Sequence, residues 1–168
     1  MEKIIESVRT ALSTKNNYAA LIVALTLPDI CVALEHSSTT GRGYATWFNV
    51  NLHQYQGFLS GEDCYALRCA LLHQGKDDIS EQKMRQVLEH YVFLTSGAHC
   101  NLFKDLTING KTVSFLQLNV CIFCEYLCQS AEAWIKSVSG NADIRSRLRS
   151  TIEIHEPGYT YKGIIQFS

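Results

Sequence analysis

Apolar residues recur at helical spacing through the first ninety positions, and each run carries its own boundary signals. The spacing predicts a first helix near Lys3 to Ser13, a second from Asn17 to about Leu25, and a third beginning at Pro28, where proline suits a first helical turn. Gly41, Arg42 and Gly43 read as a loop ahead of a helix from Tyr44 to about Tyr55. Ser60 and Asp63 form an S-x-x-D capping pattern, which predicts a helix running to Leu72 or His73 and stopped by Gly75. A further helix is expected from Ser80 to about Tyr91.

After Gly97 the period changes. Asn109-Gly110 lies between short alternating arms, a strong local signal for a hairpin in which Leu106 faces Val113. Leu116 to about Val138 has the periodicity of a long helix and Ala142 to Arg149 that of a short basic one, while Thr151 to Ser168 alternates weakly around Pro157-Gly158. The expected fold is mainly α: one helical domain over residues 1–150 with a small β-hairpin near residues 104–115, followed by a tail at 151–168.

Composition adds a partner to this picture. The chain has 168 residues, enough for one good core, and is 46% apolar but only 18% charged, against roughly 25% charged in ordinary soluble domains. Part of the apolar surplus is expected to meet another surface, most simply in a homodimer. The net charge of -1 gives no overall positive field, so any nucleic-acid contact must be local. Met1 to Leu12 lacks the apolar core of a signal peptide, and Tyr18 to Leu34 is interrupted by Pro28 and Asp29, so neither export nor a membrane span is expected. A cytoplasmic protein whose seven cysteines are reduced thiols fits these features.

The segment from Cys64 to Leu72 carries the most chemistry. At 100° per residue Cys64, Leu67, Leu71 and Leu72 form one stripe with Arg68 inside it, so the arginine needs an anion, either a ligand or a carboxylate such as Glu35 or Asp63. Ala66, Cys69, Ala70 and His73 occupy the other side, where small residues admit a close neighbour. Arg68 and His73 are five positions apart, about 140° around and about 7.5 Å along the axis, so they flank one groove near Tyr65 and Cys69. On spacing alone a bland reading comes first: a core helix with a neutralised arginine and a histidine that favours a C-terminal turn.

The wording of Asp63-Cys64-Tyr65-Ala66-Leu67-Arg68-Cys69-Ala70-Leu71-Leu72-His73-Gln74-Gly75 resembles the R-x4-6-H motif of the HEPN superfamily. Leu27-Pro28-Asp29-Ile30-Cys31, Leu34-Glu35, Tyr44 to Phe48 and the Asn109-Gly110 hairpin extend that resemblance to a family of small bacterial proteins over residues 18 to 135. The resemblance implies an all-α bundle and a metal-independent endoribonuclease of the toxin or phage-defence type. It also implies a dimer in which the Arg and His of both subunits face a composite cleft. Arg68 would stabilise charge on the phosphorane and His73 would transfer protons, with Asp63, Glu35, Cys69 and Tyr65 in support. The sequence departs from many nuclease members at Cys69, where they carry a polar residue, often asparagine. A silent module that binds a nucleotide, RNA or a protein partner such as an antitoxin is the alternative.

Other constellations are weaker. Cys121, Cys124 and Cys128 share a helix face, but the outer two lie about 10.5 Å apart along the axis, too far to ligate one zinc ion from an intact helix. Two of them with His99 and Cys100 remain a minor option; the main reading needs neither metal nor cofactor. Arg145, Arg147 and Arg149 form a basic cluster that would either hold RNA phosphates or face solvent.

Overall fold

A computed structural model describes residues 1–161 and 164–166. Helices α1 (Glu2–Ser13), α2 (Asn17–Ala24), α3 (Leu27–His36), α4 (Gly41–Asn51), α5 (Gly61–Gln74), α6 (Val120–Ser137) and α7 (Ala142–Leu148) make up most of it. Strands β1 (His90–Leu94), β2 (Asn101–Ile108) and β3 (Lys111–Asn119) form a mixed sheet in the order β1-β3-β2. The architecture is mostly helical with a small three-stranded sheet, α+β rather than purely α. In the tail, β4 (Thr160–Tyr161) pairs with β5 (Ile165–Gln166), and the rest of the 151–168 tail falls partly outside the described residues.

Helix α6 is the spine, packed against α1, α2 and α3. Its buried face comprises Val120, Phe123, Cys124, Leu127, Cys128, Ala131 and Trp134, a spacing that keeps one stripe inward for about four turns. Cys124 and Cys128 are core thiols whose ionisation burial opposes, with Cys128 pushed up to about 12. Asn119 starts the helix by accepting from the amides of Cys121 and Ile122. The apolar run at 17–36 splits into α2 and α3, and just over half of it is buried inside the fold.

Several expected elements differ. Gly41-Arg42-Gly43 is the first turn of α4 rather than a loop, because Thr40 caps it by accepting from the Gly43 amide. That helix ends at Asn51, and His53–Tyr55 is a separate 3-10 turn. The helix expected at 80–91 is absent: the chain is irregular to Glu89 and then enters β1. Its backbone groups are taken from elsewhere, since Ile79 donates to Glu89 O, Tyr91 to Asp77 O and Glu89 to Ser114 O.

The long helix starts at Val120 rather than Leu116, because Leu116 and Leu118 face the core with the period of two that completes β3. The hairpin is present with Leu106 opposite Val113, but it is longer than expected. Its strand β3 also pairs in parallel with β1, Tyr91 lying opposite Leu116. A bulge between Phe103 and Leu106 interrupts the antiparallel register.

Candidate functional site

Helix α5 follows the predicted start and stop. Ser60 Oγ accepts from the Asp63 amide at 3.0 Å, and Gly75, at φ +65°, lets its own amide and that of Lys76 reach the carbonyls of Leu71 and Ala70. The helix lies against α4, and Gly61 makes that approach feasible: a Cβ there would run into the Ala45 backbone. Asn49 Oδ1 accepts from the Gly61 amide at 2.7 Å and locks the crossing.

Arg68 has its anion within the chain. Its Nε donates to Asp29 Oδ2 at 2.9 Å, and Asp29 Oδ1 accepts from Thr39 Oγ1 at 3.0 Å. The pair is largely covered, with side-chain exposures of 22% for Arg68 and 11% for Asp29. Burial works against the Arg68 charge, but Asp29 and the adjacent Cys69 more than offset it, so the guanidinium's pKa lies above its ordinary value. The guanidinium also sits 5.9 Å from the Tyr65 ring centroid, and Tyr65 leans on Tyr44. Burial, seconded by Cys69, raises the Tyr65 pKa.

Below these groups Tyr44 is fully buried and donates to Leu25 O at 3.2 Å. Because the ion pair uses Nε, both Nη groups lie outside it, next to the Cys69 side chain. A guanidinium tethered in this way can still offer two parallel donors to an oxyanion.

His73 lies five positions beyond Arg68, about 140° around the axis, exposed in the last turn of α5, and its ring has no hydrogen-bond partner among the described residues. The helix therefore carries a tethered cation and an untethered imidazole. Asp63, by contrast, is 2% exposed and fully engaged: it accepts from Ser60 Oγ, from the Gln86 amide at 2.6 Å and from the Val87 amide, and bonds to neither Arg68 nor His73.

Glu35 is exposed beside His36, with its carboxylate 3.9 Å from the His36 Nε2. Arg147 Nη1 donates to the carbonyls of Leu34 and Glu35, closing the end of α3, while Arg145 and Arg149 are exposed on or beside α7. Tyr65 and Cys69 thus stand with Arg68, whereas Asp63 and Arg147 serve the scaffold and the Glu35 carboxylate is exposed.

His99, offered as a zinc ligand, instead contacts Tyr55 Oη through Nε2 at 3.0 Å and accepts the Asn119 amide at Nδ1. Burial lowers its pKa. Among the described residues no three His, Cys, Asp or Glu side chains are grouped so as to hold a metal ion.

Sequence reasoning missed Asp29, Thr39 and Tyr44. A signal for the first existed: Asp29 is the single charge in the apolar run from Tyr18 to Leu34, and a buried carboxylate demands a cation. Comparison with family models, curated proteins and solved structures yields no match to this chain.

Proposed function

We propose that this protein is a metal-independent endoribonuclease, similar in its α5 chemistry to HEPN ribonucleases. The observation that carries the reading is Arg68 held through Nε by Asp29, which leaves both Nη groups for a phosphate, on the same helix as the exposed His73. In the reaction a base takes the proton of the ribose 2'-hydroxyl and the 2'-oxygen attacks phosphorus. The bond to the 5'-oxygen then breaks as an acid protonates it, leaving a 2',3'-cyclic phosphate and a 5'-hydroxyl. Arg68 neutralises the charge gathered on the non-bridging oxygens. His73 from each protomer of a dimer supplies the base and the acid, which is why a homodimer is part of the proposal.

The test is incubation of purified protein with total RNA in EDTA, followed by end analysis. Cyclic phosphate ends that vanish in His73→Ala and fall sharply in Arg68→Lys support the reading. Lysine keeps the charge and loses the paired donors, so it separates geometry from charge. Activity that survives both substitutions overturns it.

A second reading has its own observation: Asp29 already answers the Arg68 charge. In that reading the protein is a silent module of the same HEPN-like fold, Arg68 is structural or holds the phosphate of a bound nucleotide, and RNA is not cut.

A further inference from the structure

Beyond the Arg68 and His73 pair, the other side of α5 walls a cleft of about 530 Å³, closed by the start of α2 and by β1. Leu21, Leu71 and Phe93 give it an apolar floor, while Lys15 and Lys76 stand on its rim. Tyr18 also lines it, with 79% of its surface exposed. An aromatic residue this exposed at the mouth of an apolar recess leaves a free π-face, the usual platform for stacking a base.

Neither lysine forms a side-chain ion pair or hydrogen bond among the described residues, so both ammonium groups are available to a phosphate. Asp77 adds one carboxylate, suited to a ribose hydroxyl or an exocyclic amine. The volume lies within the range of small-molecule sites and accommodates one nucleoside phosphate. Leu71 and Gly75 both line the cleft, whereas His73, between them in sequence, is turned about 160° from each around the helix axis and lies outside the lining.

We infer that this cleft binds a nucleoside phosphate, stacking its base on Tyr18 above Leu21, Leu71 and Phe93 and placing phosphate between Lys15 and Lys76. In an RNA strand this is a nucleotide held apart from the bond to be cut, an assignment that rests on the ribonuclease reading. The same chemistry describes a free nucleotide, and the experiment separates the two sources.

The test titrates the full chain with a fluorescent 2'-O-methyl hexaadenylate, which cannot be cleaved, and with AMP as competitor. Tyr18→Ala is expected to weaken hexamer binding roughly tenfold, in keeping with the loss of one stacked base. Lys15→Asn combined with Lys76→Gln is expected to lower the slope of affinity against salt by about 1.4, the value for two phosphate contacts on a single strand. Asparagine suits the left-handed backbone of Lys15 (φ +60°), so this variant keeps its fold.

AMP competing far more weakly than unlabelled hexamer identifies a strand; AMP competing equally well identifies a free nucleotide, and both support the site. No hexamer or AMP binding, or binding indifferent to Tyr18 and to both lysines, overturns it. Tyr18-dependent binding without RNA cleavage sinks the ribonuclease reading alone, whereas cleavage with binding indifferent to these residues sinks the cleft alone.

Discussion

At its first turn α5 is gripped from several sides: Ser60 caps it, Asn49 holds the Gly61 amide, Ala45 presses on Gly61, and Asp63 reaches out to the 86–87 backbone. At its last turn only the backbone is tied, through Gly75, while His73 and Gln74 face solvent. Arg68 lies between, joined to α3 by one ion pair. The two ends therefore differ in what a substitution breaks inside the chain. The gradient also says where substitutions should cost stability and where they should cost activity.

The steepest cost is expected at Asp63→Ala, which strands the Gln86 and Val87 amides and removes the cap contact; urea unfolding should show a loss of about 3 kcal/mol. Gly61→Ala comes next, at about 2 kcal/mol by the same measurement, since the new methyl forces α4 and α5 apart. Arg68→Ala leaves Asp29 with Thr39 as its remaining side-chain partner. A fully buried broken pair costs about 3–5 kcal/mol, and the partial exposure of this one reduces the expectation to about 1–2 kcal/mol. His73→Ala should stay within about 0.5 kcal/mol of wild type while RNA cleavage falls at least about 100-fold. A His73→Ala variant destabilised as much as Asp63→Ala would erase the contrast between the two ends.

The ends of α5 were legible in the sequence because their signals are local: Ser60 with Asp63 at one end, Gly75 at the other. The Asn109-Gly110 turn was legible for the same reason. The 80–91 segment was misread because its apolar spacing is locally helical, while its backbone is claimed by partners more than twenty positions away, Asp63 and Ser114. The same holds for the site. The motif singled out Arg68 and His73, but the counter-ion of Arg68 lies 39 residues upstream; of the carboxylates nearer to hand, Asp63 is engaged by the 86–87 amides and Glu35 is exposed beside His36. Local patterns disclose caps and turns; which carboxylate meets which cation depends on helix crossings that no single window contains.

The clasp of Arg147 on the carbonyls of Leu34 and Glu35 spans 113 and 112 positions of the chain. During synthesis at about 5–20 residues per second, α3 emerges roughly 6–23 s before the arginine that closes its end exists. Until then the last turn of α3 rests on its own cap, the Ser37 amide on the Ala33 carbonyl, with the Leu34 and Glu35 carbonyls open to water. Asp29 sits in the first turn, away from that end, so the clasp bears on the exit of α3 and the loop to Thr39 rather than on the carboxylate itself. This end of the helix is finished last, when α7 docks.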